Sequence, residues 1–305
     1  MKKPKIAIIG PGVVGQAIGK AFLKKGFEVS FIGIEKSTIE KLRKENYSAY
    51  FSNEFQNGNY QFDVTFLTVP TPTVKGRIDL SAMKEATLDL GKKLAYIHKY
   101  HLVVVKSTVL PGVTEHLVIP DIEKTSGKKA GRDFGVCMNP EYLRAKTAQE
   151  DARDPWTILI GEYDRRSGDM LSFLYHDFDG PIYRVSLSEA EIQKYIHNLF
   201  NAVKITFFNE MRAVGKKIGV DTERIFKLVA LSSEGIWNHR YGLADKGPFS
   251  GACLPKDTQA FLRWIEAQGW KADVLKAAID VNNRIIEKAA KKRGISKENF
   301  YVSGF

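Results

Sequence analysis

The stretch KIAIIGPGVVG, residues 5–15, decides the fold. Its apolar half, Lys5 to Ile9, is typical of a buried parallel strand, and its second half is a Gly-x-Gly-x-x-Gly turn. A helical pattern follows and stops at Gly26, and Val29 to Ile34 is another apolar run. A strand, a glycine turn, a helix and a second strand in this order predict an α/β unit that binds a dinucleotide.

The glycine turn is suited to a pyrophosphate, because the N-terminus of a helix offers free N–H groups and the positive end of the helix dipole. The first glycine makes the turn, the second lets the backbone approach the phosphates, and the third lets the helix pack on the strand. The predicted cofactor contacts in this turn are Gly10, Gly12, Val13, Val14 and Gly15.

The second strand lacks the carboxylate that usually binds the adenosine ribose. Gly33 occupies that position, and Glu35 follows two residues later, on the same side of an extended chain. We therefore expect NAD as the cofactor, with Glu35 as its ribose contact. NADP stays open as the alternative, because Lys36 and the missing carboxylate would tolerate a 2′-phosphate.

Strands and helical patterns alternate as far as residue 185. Four more apolar runs predict strands, at residues 63–69, 102–106, 134–138 and 157–160. This alternation predicts a doubly wound parallel sheet of the Rossmann type. Polar turns follow three of these runs, at the strand ends where open parallel sheets bind ligands, although such residues also dominate ordinary turns. Further cofactor contacts are predicted there, at Val69, Pro70, Thr71, Ser107 and Thr108.

The chain after residue 185 is mainly helical. Apolar residues recur every three or four positions from Ile192 to Phe207, which predicts a long helix, and Lys194 and Asn198 share another face of it. Helical patterns continue to residue 293. We predict three parts: a dinucleotide-binding α/β domain over 1–185, a helical domain over 186–293, and a tail over 294–305.

The composition is that of a globular protein, with 44% hydrophobic and 27% charged residues. The net charge of +11 suits small acidic ligands, and the basic residues form no aromatic-interleaved patch for nucleic acid. No apolar run is long enough for a membrane span. Two cysteines, Cys137 and Cys253, favour a reducing compartment, so we expect a cytoplasmic protein without membrane or nucleic-acid partners, and no metal site.

Cys253 lies in GPFSGACLPKDT, residues 247–258, with small residues before it and Lys256 and Asp257 after it. A thiol in such a turn is a candidate nucleophile, because the thiolate is the attacking form and a nearby cation favours it. From this stretch alone, it is equally possible that Cys253 is packed as a small apolar side chain and has no chemical role.

Seven segments in this order resemble the UDP-glucose and GDP-mannose dehydrogenase family. They are GPGVVG (10–15), VPTP (69–72), VKSTVLPG (105–112), NPEYLR (139–144), AEIQKYIHN (190–198), RYG (240–242) and GACLPKD (251–257). The resemblance implies a nicotinamide-binding α/β domain followed by a helical dimerisation domain, and therefore a homodimer. It also implies that a nucleotide sugar is oxidised at its primary alcohol to a carboxylate, with two molecules of NAD.

Two successive hydride transfers require that the intermediate aldehyde is held between them. Cys253 would trap the aldehyde as a thiohemiacetal, and the second transfer would give a thioester that water hydrolyses. An ordinary thiol is only a few per cent ionised at neutral pH, so a cation close to it matters. Lys194 suits that role and would also stabilise an oxyanion, with Asn198 as a neutral donor one turn along.

The resemblance implies roles for the remaining site residues. Glu141 would be the base in thioester hydrolysis, Thr108 would position the water, and Asp257 would activate water or take the alcohol proton. Arg240 would reach the substrate of the neighbouring subunit. The predicted substrate contacts are Glu141, Tyr142, Leu143, Arg144, Lys194, Asn198, Arg240 and Gly251.

The sequence departs from the family pattern in three places. Ala145 stands where the family has a second glutamate, and the turn over residues 248–253 is altered and close to Arg240. The sequence ends at Phe305, where the family continues into a second nucleotide-binding domain, and residues 299–305 resemble the first strand of that domain. Either the sequence is a fragment, or a short form uses a different or partner-bound substrate. Two alternatives stay open: a two-electron dehydrogenase of a small 3-hydroxy acid, which needs no cysteine, and a non-catalytic dinucleotide-binding subunit.

Overall fold

The computed structural model describes residues 3–56, 58–144, 146–244, 247–250 and 253–294. Its strands are β1 (Lys5–Ile9), β2 (Glu28–Gly33), β3 (Ala49–Phe51), β4 (Val64–Leu67), β5 (Thr73–Val74), β6 (Arg77–Ile78), β7 (His101–Val105), β8 (Phe134–Met138), β9 (Ile158–Glu162) and β10 (Ile182–Ser186). Its helices are α1 (Val13–Lys24), α2 (Lys36–Lys44), α3 (Ser81–Leu94), α4 (Ile119–Ser126), α5 (Ala148–Arg153), α6 (Arg165–Leu174), α7 (Leu187–Lys217), α8 (Thr222–Ser232), α9 (Glu234–Trp237), α10 (Leu254–Ala267) and α11 (Asp273–Arg293). A π-helical turn, Thr114–Val118, leads into α4.

Eight strands form one sheet in the order β3-β2-β1-β4-β7-β8-β9-β10. The Rossmann-like α/β fold predicted from the alternation of strands and helices is confirmed. The sheet is not wholly parallel, because β9 pairs antiparallel with β8, and β10 pairs parallel with β9. The glycine turn and the polar turns after β4, β7 and β8 therefore lie at one edge of the sheet, where these parallel strands end.

Two strands of the sheet were not predicted. Strand β3 has only three residues, and β10 reads IYRVS, with most of its side chains partly or fully exposed. Neither is a long apolar run, which is the signal that identified the central strands. The edge strands β3 and β10 are therefore less visible in the sequence than β1, β4, β7 and β8.

Helix α1 is held on the sheet by aromatic packing. The ring of Phe22 lies 5.3 Å, centroid to centroid, from each of the rings of Phe66, Tyr175 and Phe178. Phe22 is fully buried, and aromatic pairs at this distance add to the free energy gained from burial. Because α1 begins at the glycine turn, this packing fixes the position of the turn.

A buried chain of hydrogen bonds fixes the protonation of His101. The Nδ1 atom of His101 lies 3.1 Å from the carbonyl oxygen of Phe62, which can only accept, so Nδ1 carries the proton. The Nε2 atom, 2.8 Å from Thr65 Oγ1, then accepts from the threonine hydroxyl, and Tyr60 donates to the same hydroxyl at 2.6 Å. Burial lowers the pKa of His101 to about 4. The neutral imidazole is the form that the fold accommodates.

We expect the protein to lose stability between about pH 6.5 and pH 4 because of His101. In this window the unfolded chain binds a proton that the folded protein resists, so stability is complete above pH 6.5 and falls with the pH by about 3 kcal/mol. Urea unfolding at several pH values measures this slope. His101→Gln should flatten it, and His98→Gln, at an exposed position on the loop before β7, should not. An unchanged slope in His101→Gln would contradict this assignment.

The chain divides into two compact units, one up to His197 and one from Asn198 onward. The second unit contains most of α7 and the helices α8 to α11. A small core is formed there by Val214, Ile265 and Ala272. Among the described residues, no helix has the length and apolar composition needed to cross a membrane. The three expected domains, 1–185, 186–293 and 294–305, stay predictions, and residues 295–305 lie outside the described part of the chain.

Candidate active site

The glycine turn after β1 leaves room for a ligand. Gly10 has a positive φ of 94°, and a Cβ at this position would lie 2.8 Å from the backbone nitrogen of Val69, so no other residue is accommodated. A Cβ at Gly12, by contrast, would meet nothing within 4 Å. Gly12 is the N-cap of α1, and the N–H groups of Val13 and Val14 follow it. This open backbone at a helix N-terminus fits a dinucleotide pyrophosphate.

The end of β2, where dinucleotide-binding folds usually have a carboxylate that binds the adenosine ribose, differs from the usual pattern. A side chain at Gly33 would lie 2.9 Å from the ring of Pro11, so the proline fills the space that the usual carboxylate occupies. Glu35 is the N-cap residue of α2, and its carboxylate accepts a hydrogen bond from Ser37 Oγ at 3.1 Å. Glu35 stays the predicted ribose contact.

The turns after β4 and β7 are joined by hydrogen bonds. Ser107 Oγ donates to the carbonyl oxygen of Val69 at 2.6 Å, and Thr71 Oγ1 donates to the carbonyl oxygen of Thr108 at 2.7 Å. The structure thus brings together the two segments that were predicted to contact the cofactor, including Pro70 between Val69 and Thr71.

Lys194 and Glu141 form a nearly buried ion pair. Lys194 Nζ lies 3.2 Å from Glu141 Oε1, and it also donates to the backbone oxygen of Glu141. Only 5% of the lysine side chain and 17% of the glutamate side chain are exposed. Leu143 N–H donates to the other carboxylate oxygen at 2.6 Å. The structure therefore brings together an ammonium and a carboxylate from positions 53 residues apart, and both lie in the first unit.

The neighbours of Glu141 have other partners. Tyr142 donates its hydroxyl to Gln193 Oε1 at 2.5 Å, and burial raises the pKa of Tyr142 to about 12. Arg144 pairs with Asp151 at 2.6 Å, and this hydrogen bond holds the pKa of the aspartate well below its usual range. The predicted substrate contacts Tyr142 and Arg144 thus support the Glu141 turn in the structure. Ala145 lies outside the described residues.

Lys106 is a residue of this site that the sequence reasoning did not select. Its Nζ donates to Asn139 Oδ1 at 2.8 Å and to the backbone oxygen of Pro140 at 3.2 Å. Tyr175 donates to the same Asn139 oxygen at 2.7 Å. Burial lowers the pKa of Lys106 to about 7. A lysine directly after five buried strand residues was the signal that could have identified it.

A small cleft with an accessible volume of about 30 Å³ borders this network. Its lining combines the polar residues of the turn with apolar side chains. The polar or turn residues include Lys106, Asn139, Pro140, Glu141, Tyr142 and Tyr175. This volume admits water molecules but is far smaller than the pockets that enclose drug-sized ligands.

The other predicted catalytic residues belong to the second unit. Asn198 is exposed on α7, four residues after Lys194, and Arg240 is exposed after α9. Cys253 is exposed at the N-cap of α10, where the helix dipole favours a negative charge. Asp257, in the first turn of the same helix, pairs with Lys256. Gly251 lies outside the described residues.

Comparison with known proteins identifies the family. The NAD-binding domain of the UDP-glucose/GDP-mannose dehydrogenase family matches residues 46–179, and the central domain of the same family matches residues 188–284. The chain belongs to this family. The resemblance stated from the seven sequence segments is thereby confirmed, and the family's NAD-binding domain indicates NAD as the cofactor.

Individual relatives agree with the family assignment. A UDP-glucose 6-dehydrogenase of Haloferax volcanii is 34% identical, over 92% of this chain and 69% of that protein. A GDP-mannose 6-dehydrogenase of Pseudomonas aeruginosa is 32% identical, over 93% of this chain and 70% of that protein. The crystal structure of a ternary complex of GDP-mannose dehydrogenase from the latter organism has a TM-score of 0.87, at 32% identity, over 95% of this chain and 70% of that one.

Proposed function

We propose that the protein oxidises the primary alcohol of a nucleotide sugar to the acid, in two hydride transfers. The observation that carries this proposal is the Lys194–Glu141 pair, which lies at the strand ends that also hold the glycine turn. A buried cation beside a carboxylate provides both an oxyanion donor and a base. The relatives named above are dehydrogenases of UDP-glucose and GDP-mannose, which supports a nucleotide sugar as the substrate.

The proposal assigns the chemistry to six residues. NAD, when bound, supplies the hydride acceptor for both oxidations. Cys253 adds its sulfur to the aldehyde, and the oxygen of the adduct is stabilised by Lys194 and Asn198. After the second oxidation the acyl group is a thioester. Water held by Thr108 forms a C–O bond to the acyl carbon, the C–S bond breaks with its electron pair on sulfur, and Glu141 takes the proton of the water. Asp257 assists by activating water or accepting the alcohol proton.

The stoichiometry of NADH tests the proposal. Purified protein is incubated with NAD and, separately, UDP-glucose, GDP-mannose and other nucleotide sugars, and NADH is followed by absorbance. We expect two NADH per sugar consumed with one nucleotide sugar, and the corresponding uronate by mass spectrometry. A folded protein that binds NADH and turns over none of them would refute this function. One NADH per substrate, with a small 3-hydroxy acid instead, would favour the two-electron alternative.

We further propose that the second unit forms a homodimer. Large apolar side chains stay exposed on α7 and α8, with relative exposures of 60% for Leu199, 59% for Val203 and 79% for Leu231. Exposed apolar surface of this kind is typical of an interface. In the dimer, Arg240 is proposed to reach the substrate of the partner. Sedimentation equilibrium measures the mass, and a monomer at micromolar concentration would contradict the proposal.

A further inference from the structure

A second carboxylate near the candidate site, that of Glu191, has no role in the chemistry described so far. Glu191 lies on α7 and is completely buried. Its Oε2 accepts the backbone N–H of Gly112 at 2.5 Å, and its Oε1 accepts that of Thr114 at 2.8 Å. A carboxylate bound to two backbone N–H groups is a strong, charge-assisted contact. Glu191 therefore ties α7 to the segment that follows β7.

The segment tied by Glu191, residues 107–113, carries Thr108. It runs from the end of β7 to the π-helical turn that begins at Thr114. Gly112 has a φ of 90°, and a Cβ there would lie 3.0 Å from the His116 ring. The direction of the Gly112 N–H thus depends on a left-handed backbone that glycine adopts without strain.

Glu191 connects residues 107–113 to helix α7, and α7 also carries Lys194. It lies three residues after Glu191 on α7, and its ammonium holds Glu141. Ala190 packs against Gly161 so closely that a Cβ on the glycine would lie 2.6 Å from the alanine Cβ. The first turns of α7 therefore have little freedom to move against β9. Through Glu191 this rigid helix also holds the Thr108 segment.

We propose that Glu191 is a positioning residue that sets the place of Thr108 relative to the Lys194–Glu141 pair. This inference rests on the function proposed above. Hydrolysis of the thioester needs water that is held by Thr108 and loses its proton to Glu141. Its rate therefore depends on the distance between Thr108 and Glu141 more than the rates of the two oxidations do. A misplacement of about 1 Å can cost on the order of 100-fold in rate. Glu191 thereby controls the last step of the reaction.

The variant Glu191→Gln tests the inference. An amide has one accepting atom, so one of the two backbone N–H groups loses its partner and faces an N–H donor instead. We expect kcat to fall by about 10- to 100-fold, with a largely unchanged KM and an unchanged dissociation constant for NADH. We also expect a burst of two NADH per site, and an acylated Cys253 peptide by mass spectrometry after rapid quenching.

Two further variants keep the test decisive. Glu189→Gln is the matched control, because Glu189 lies on the same helix, is exposed, and binds the N–H and hydroxyl of Ser186. It should show neither the loss nor the burst. Glu191→Asp keeps the charge but shortens the side chain, and it should accumulate the same acyl-enzyme if the glutamine variant does not fold.

The outcomes separate this inference from the proposed function. A wild-type protein that oxidises no nucleotide sugar overturns both. If the wild type is active and the Glu191 variants lose activity without accumulating acyl-enzyme, or lose none, only the positioning role of Glu191 is overturned. A loss of NADH binding that equals the loss of activity likewise assigns the residue to the general fold of the segment.

Discussion

Replacing Cys253 by alanine is expected to stop formation of the acid, with a loss of at least about 10³-fold in kcat. Without the sulfur, the aldehyde has no covalent partner that holds it for the second oxidation. The rate of acid formation is measured by NADH absorbance with mass spectrometry of the sugar. NADH binding should be unchanged, because Cys253 belongs to the second unit and the glycine turn belongs to the first.

The second cysteine provides the control for this experiment. Cys137 is fully buried in β8, and burial raises the pKa of its thiol, so it is poorly reactive. Iodoacetamide should therefore modify Cys253 alone and inactivate the protein, while Cys137→Ala should retain the activity. If Cys253→Ala keeps full turnover with one NADH per substrate, the protein is a two-electron dehydrogenase and the thioester route is wrong.

Short-range patterns were sufficient to predict the Rossmann-like α/β fold, and they also carry the prediction of where the cofactor binds. The buried runs that became β1, β4, β7 and β8 are continuous, and each is followed by a turn at the same sheet edge. The glycine spacing then identifies the turn that an anion can approach. These signals act over a few residues, which is why a single sequence contains them.

Contacts between residues that are far apart in the sequence could not be predicted from short-range patterns. Lys106 donates a hydrogen bond to Asn139, 33 residues away in the sequence, and Glu191 accepts one from Gly112, 79 residues away. No spacing rule connects such pairs, because the sheet order brings them together. The pair Gly33 and Pro11 is a related case. The sequence shows that the ribose carboxylate is missing, and the packing shows that the proline ring occupies its space.

Replacing Lys194 by alanine is expected to lower kcat by about 10²- to 10³-fold, because an oxyanion donor in a buried site is removed. The variant should also unfold more easily, by about 3 kcal/mol, because Glu141 then loses the cation beside a carboxylate that is mostly buried. Chemical denaturation measures the stability, and steady-state kinetics on the folded fraction measure the activity.

The control for Lys194 lies on the same helix. Lys204→Ala removes an exposed lysine from α7 and should leave both the activity and the stability nearly unchanged. The two losses in Lys194→Ala have separate causes, so they should respond differently to a second change. Adding Glu141→Gln removes the unpaired charge and should restore stability, but it should not restore activity, because the base is lost as well. A double variant that stays as unstable as Lys194→Ala would show that the unpaired charge of Glu141 is not the cause of the lost stability.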